Sequence, residues 1–199
     1  MRISKAGEIR SIFADGWLGW FRQTTDHRSA SQETAMSASA ARIVNLSEAR
    51  AGESLDDILY RAENRARERE IPYRGQLTPD EAWRVCQEYP GARLVDIRTR
   101  EELALIGRVP GAVEIQWRLF QDWDLNPRFL RDIRKNFLPT DTILLLCRSG
   151  VRSREAAELL AAEGFRNCFN ILEGFEGDKN EAGQRVIAGW KVRGLPWSQ

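Results

Sequence analysis

The sequence predicts an α/β fold, a central and mainly parallel sheet flanked by helices, with an N-terminal extension. Three observations lead there. Residues 142–146, Thr-Ile-Leu-Leu-Leu, form a continuous apolar run of strand length, the pattern of a strand buried on both faces. From Ile71 onward, β-rich runs alternate with segments of helical periodicity. Helix start and stop signals punctuate that alternation.

The first 35 residues differ from the rest. Trp17, Trp20 and Phe21 lie in a glycine-containing stretch, and a polar run follows over 22–34. Glu8, Arg10 and Asp15 interrupt the apolar residues, so a secretory signal is not predicted. Met36 offers a second start, which leaves residues 1–35 as either an untranslated leader or a disordered or loosely docked one. Residues 36–71 are expected to be a helical N-terminal segment, and 72–199 the main domain with a C-terminal wrap. Ser54 caps a helix, with Asp57 three residues on and Leu55, Ile58, Leu59, Ala62 and Ala66 at helical spacing. Its other face, including Glu63, Arg65, Arg67 and Glu70, reads as solvated.

Thr78-Pro79-Asp80-Glu81 starts the next helix, with Thr as cap, Pro in the first turn and Glu three residues after the cap. Pro90-Gly91 ends it. Residues 93–97 form a short strand. The turn at 109–112 enters a second strand at 113–115, and Asn126-Pro127 begins a helix that runs to about Asn136. The buried strand at 142–146 is followed by a helix over 153–163, closed by Gly164, and a last strand over 168–172. Trp190 and Trp197 are expected to pack residues 178–199 onto the domain. Trp83 and Trp123 are read as packing residues as well.

Composition narrows the function. The chain has 199 residues, 42% hydrophobic and 30% charged, with 30 Lys+Arg against 29 Asp+Glu. That balance argues against nucleic acid and membrane surfaces as partners, since both call for a basic excess or patch. No run of about 18 apolar residues suits a membrane span. Three cysteines, at 86, 147 and 168, without a Cys-x-x-Cys pair, support neither a disulfide framework nor a zinc site. The one histidine is His27, so the C-terminal two-thirds works without an imidazole. Neither a metal nor a cofactor is expected. Free thiols without an export signal point to a reducing cytoplasm.

The informative segment is Cys147-Arg148-Ser149-Gly150-Val151-Arg152-Ser153, between the buried strand and the next helix. In open α/β sheets, ligands bind at the carboxyl ends of the strands. A short glycine-containing turn aims successive N–H groups into one concavity, and the helix adds its positive end. Arg148 and Arg152 bring two guanidinium groups. Each of these favours an anion, so Cys147 is expected as a thiolate that needs no base, inside an anion-binding cup formed by residues 148–153.

This loop resembles the active-site loop of rhodanese-domain sulfurtransferases. Leu94-Val95-Asp96-Ile97-Arg98 with Glu101-Glu102-Leu103 is similar to that family's Asp-Val-Arg…Glu-Phe segment. Gly107-Arg108-Val109-Pro110-Gly111-Ala112 resembles its Gly-His-Ile-Pro-Gly-Ala turn, with Arg108 in place of His. Asn170-Ile171-Leu172-Glu173-Gly174 resembles its strand and Gly-Gly turn, with Glu173 in place of one Gly. The resemblance implies a rhodanese-like fold and a catalytic Cys147 that takes the outer sulfur of a donor such as thiosulfate. Cys147 then holds it as a persulfide and yields it to a thiophilic acceptor, a small molecule or a sulfur-carrier protein. It also implies that the loop amides hold the persulfide and that Arg148 and Arg152 bind the donor's anionic end.

Two rival functions stand beside that one. Cell-cycle-type dual-specificity phosphatases share the fold, but they carry Cys-x5-Arg, one residue longer than the Cys-x4-Arg here. A non-catalytic binding module is the other. Asp96 and Arg98 read as an ion pair fixing the loop or as substrate contacts. Trp117 is a candidate wall of the pocket. Ser153 either donates to the persulfide or caps the helix. Cys86 and Cys168 read as small buried apolar residues.

Overall fold

The computed structural model describes residues 52–199. The leader at 1–35 and the beginning of the 36–71 segment lie outside them. Helix α1 (Leu55–Glu68) opens with the expected capping box, in which Ser54 and Asp57 satisfy each other's backbone N–H. There follow β1 (Gly75–Leu77), α2 (Pro79–Glu88), β2 (Arg93–Asp96), α3 (Arg100–Ile106), β3 (Val113–Glu114), α4 (Phe129–Asn136), β4 (Ile143–Leu146), α5 (Val151–Ala162) and β5 (Cys168–Ile171). The strands form one sheet in the order β1-β5-β4-β2-β3, parallel throughout.

Most elements stand where the sequence places them. β1 and α3 are additions. β1 is only three residues long, too short to show a period. α3 carries its own signal, since Thr99 and Glu102 form a full capping box. α5 begins two residues before Ser153, because Gly150 is its N-cap. α4 begins at Phe129 with no side-chain cap.

The strand order fixes the position of the site. The chain leaves β2 toward β3 and leaves β4 toward β5, in opposite directions across the sheet. The change of direction therefore falls between the carboxyl ends of β2 and β4, the place where open α/β sheets bind ligands. Asp96 pairs in register with Leu146, so Ile97 and Cys147 leave the sheet side by side, and Ile97 N–H donates to Leu146 O at 2.9 Å.

β4 separates two apolar layers. Ile143, Leu145 and Cys147 face a cluster with Phe129 and Ile133 of α4 and Ala156, Ala157 and Leu160 of α5. Leu144 and Leu146 face the other, with Ile58 and Ala62 of α1, Ala82 and Val85 of α2, and Trp190. Strand alternation thus assigns the Cys147 side chain to the α5 side of the sheet.

Two features hold the outer elements. Glu81 of α2, its side chain fully buried, accepts from Arg61 (2.9 Å) and Arg65 (2.6 Å) of α1. Burial pushes its carboxyl up, but hydrogen bonds from Arg65, Thr78 and Arg61 outweigh this and hold it down at about 2. The C-terminal residues lie against the domain. Trp190 is fully buried and edge-on to Trp83, its N–H donates to Gly174 O at 2.9 Å, and Ser198 pairs with Arg108.

Trp190→Ala is expected to cost about 3–5 kcal/mol of stability, read by denaturant unfolding. Glu81 has a folded pKa below its ordinary value of 4.5. Its contribution is therefore complete above that value and lost as pH falls toward about 2. Unfolding free energy measured against pH should decline over that window, and Glu81→Gln should flatten the decline.

Candidate active site

Cys147 follows the last residue of β4, and its sulfur is the focus of a tight turn. Gly150 lies at φ +85°, in the left-handed region, and this curl brings its own N–H onto Cys147 Sγ at 3.1 Å. A Cβ at that position would sit 3.2 Å from Glu173 N and 3.3 Å from Ile171 O. Ser153, in the first turn of α5 and fully buried, donates its hydroxyl to the same sulfur at 3.2 Å. Of the two readings of Ser153, the cap is thus overturned, since Gly150 holds that place. The first intrahelical bond of α5 runs from Arg154 N–H to Gly150 O. The N–H groups of Val151, Arg152 and Ser153 precede it and have no partner within the helix. They add the positive end of the helix dipole to the sulfur's surroundings.

A second segment supports the loop from behind. Phe175 N–H donates to Cys147 O at 2.8 Å, and Glu176 and Gly177 donate to Arg148 O at 2.9 and 3.2 Å. The contact is close enough that a Cβ on Gly174 would fall 2.5 Å from Cys147 O and 2.6 Å from Ser149 N. Glu173, where the family resemblance expects glycine, adopts φ +65°. Its carboxylate accepts from Gly189 N–H (2.9 Å) and Arg193 Nε (2.8 Å), which ties the C-terminal wrap to this segment.

The charged neighbours are paired. Arg152 grips both oxygens of Glu102 with two bonds of 2.7 Å and lies over the Trp123 ring at 5.2 Å. Burial opposes the Arg152 charge, but Glu102 and, less strongly, Cys147 and Asp96 strengthen it. Arg148 Nε donates to Glu176 at 2.6 Å. Asp96 and Arg98 form a fully buried ion pair with bonds of 2.7 to 3.2 Å. Arg98 also donates to Gly107 O at 2.9 Å and lies over the Phe175 ring at 3.9 Å. This pair ties β2 to the turn before β3 and to the segment behind the cysteine loop.

Trp117 is a core residue, edge-on to Phe129 and donating to Glu155 at 3.2 Å. Trp123, expected to pack inside, is instead 44% exposed beside Arg152, at a left-handed φ of +59°. The loop also holds Ser149, half-buried, and Val151, exposed. Cys147 itself is fully buried, so the cup is closed around its sulfur. The other two thiols stand in different surroundings. Burial alone pushes Cys86 up to about 11 and Cys168 up to about 12, so both stay protonated at neutrality. No helix among the described residues is long and apolar enough to cross a membrane.

Glu102, Glu176, Trp123, Glu173 and Arg193 are site neighbours to which the sequence reading assigns no role at the cysteine. Glu102 alone had a local signal, the Thr99-x-x-Glu102 capping box. The other four meet the loop through long-range folding.

Comparison with known proteins agrees with this architecture. A model of the rhodanese-like domain family matches residues 78–181. An uncharacterized Rickettsia rickettsii protein, described as an RP600 homolog, is 40% identical over 112 residues, covering 53% of this chain and 82% of its own. The thiosulfate sulfurtransferase GlpE of Haemophilus influenzae is 30% identical over 107 residues, covering 54% of this chain and 89% of its own. The crystal structure of Rv0390 from M. tuberculosis superposes with a TM-score of 0.59 at 35% identity, covering 64% of this chain and 98% of its own.

Asp96→Asn would leave the Arg98 charge buried without its counter-ion. It is expected to cost about 3–5 kcal/mol in denaturant unfolding, as removal of one partner of a buried ion pair generally does.

Proposed function

Because the chain belongs to the rhodanese-like domain family, we propose that it is a sulfurtransferase carrying sulfane sulfur as a persulfide on Cys147. The observation that carries this reading is the pair of donors on one sulfur, Gly150 N–H and Ser153 Oγ–H. Hydrogen bonds to the charged form of a group favour that form. No histidine lies among the described residues, the one in the chain being His27, so these two donors are what the proposed nucleophile relies on.

In the proposed reaction, the Cys147 thiolate attacks the outer sulfur of a donor. For thiosulfate, the bond from Cys147 Sγ to that sulfur forms as the sulfur–sulfur bond of the donor breaks, and sulfite leaves with the electron pair. The terminal sulfur of the persulfide is held by the unpartnered first-turn amides of α5. A thiophilic acceptor, cyanide in an assay or the thiolate of a small molecule or carrier protein, then removes that sulfur and restores the Cys147 thiolate. No cofactor enters the balance. A reducing cytoplasm suits a protein that works through a free thiol. Since Cys147 is fully buried, entry requires side chains around the loop to move apart. Val151 and Trp123, both exposed and adjoining Arg152, are placed to do so.

The same burial favours a second reading, a non-catalytic binding module whose cysteine only packs. The two readings part on whether sulfur is loaded. Intact mass after incubation with a sulfane-sulfur donor should show the gain of one sulfur atom, reversed by cyanide and absent from Cys147→Ser. An unchanged mass, or an equal gain in Cys147→Ser, would contradict the sulfurtransferase.

A further inference from the structure

The segment that supports the cysteine loop is itself held from outside, by residues beyond the span that matches the family. Residues 189–193 run along it. Trp190 N–H donates to Gly174 O at 2.9 Å and Lys191 N–H to Phe175 O at 3.0 Å. Phe175 passes the support on, since its own N–H donates to Cys147 O at 2.8 Å. Backbone hydrogen bonds thus join the C-terminal residues to the 173–177 segment, and that segment to the cysteine loop.

The costly part of this arrangement is the turn. Glu173 and Gly174 are successive left-handed residues, at φ +65° and +62°. Glycine adopts that region freely, whereas a glutamate must be held there. Two close approaches make the loop depend on the turn. A Cβ built on Gly150 would meet Glu173 N at 3.2 Å, and one built on Gly174 would meet Cys147 O at 2.5 Å. A drift of Glu173 toward ordinary φ would shift both, and with them the Gly150 N–H that points at Cys147 Sγ.

Arg193 closes the turn. Its Nε and Nη2 grip both oxygens of the Glu173 carboxylate, and its Nη1 donates to Asp80 in the first turn of α2. Gly189 N–H donates to the same Glu173 carboxylate. The Arg193, Glu173 and Asp80 side chains are only 21 to 29% exposed, so water screens these pairs less than it screens a surface pair.

We infer that Arg193 is a positioning residue for the Cys147 nucleophile. By latching Glu173 to α2 it holds the left-handed turn whose backbone aims the Gly150 amide at the sulfur. A glutamate with its latch does here what glycine does alone, at the position where the family resemblance expects glycine. The inference rests on sulfur transfer through Cys147.

The test uses the full-length protein, loaded from thiosulfate at saturating concentration and followed by intact mass. Thiolate absorbance at neutral pH is read beside it, each protein against its own Cys147→Ser counterpart. Arg193→Gln should slow loading about tenfold, the scale of one hydrogen bond lost from a charged group, and lower the thiolate absorbance with it. Adding Glu173→Gly should recover most of both losses, because glycine keeps the turn unaided. A merely structural role for Arg193 would not be cured by a substitution that also removes its partner. Loading of Arg193→Gln at the wild-type rate, slower loading with the absorbance unchanged, or losses that Glu173→Gly does not recover each overturn the inference and leave sulfur transfer standing. A wild type that loads no sulfur overturns sulfur transfer itself, and the inference with it.

Discussion

The hydrogen bond from Gly150 N–H to the sulfur of Cys147 closes the loop, and the rest of the site is arranged so that it can form. Three conditions meet there. The alternation of β4 sends residue 147 to the α5 side of the sheet. Residue 150 must turn through the left-handed region in a space bounded at 3.2 Å by the backbone of Glu173, where a side chain has little room. Gly174 must let the supporting segment press against the carbonyl of Cys147. A side chain at Gly174 would push that segment off the loop. One at Gly150 would also strain the turn that aims the amide.

The electrostatics follow from the same geometry. A thiol buried among hydrocarbon alone is pushed toward its protonated form, as Cys86 and Cys168 are. Cys147 is as fully buried as Cys168 and more so than Cys86, but an amide, a hydroxyl and the start of a helix converge on it. Polar groups rather than exposure therefore distinguish the one thiol from the other two. The arginines next to it are engaged unequally: both terminal nitrogens of Arg152 are bonded to Glu102, whereas Arg148 meets Glu176 through Nε alone.

Much of this was legible in the sequence, for identifiable reasons. The strand at 142–146 announced itself by four unbroken apolar residues after Thr142, and the capping boxes at Ser54 and Thr78 marked the starts of two helices to the residue. Cys147, Gly150 and Arg152 were readable because loop, strand and helix adjoin in the chain. The start of α5 was misplaced because Gly150, a glycine cap without a side-chain acceptor, leaves less trace than a serine would. Arg148 and Arg152 were expected to bind an anion because their counter-ions come from the segment after β5 and from α3, 28 and 50 residues away respectively. The exposure of Trp123 was hidden for a similar reason. Apolar character predicts burial, whereas here the ring stacks on a guanidinium at the surface.

All of this turns on the ionisation of one side chain. The most direct test is the ultraviolet absorbance of thiolate at neutral pH, taken as the difference between the native protein and Cys147→Ser. One equivalent of thiolate in the difference is the expected result, and it would place the charge on that sulfur. A difference of zero would show a protonated thiol held only by packing, and the cup would then have no anion to stabilise.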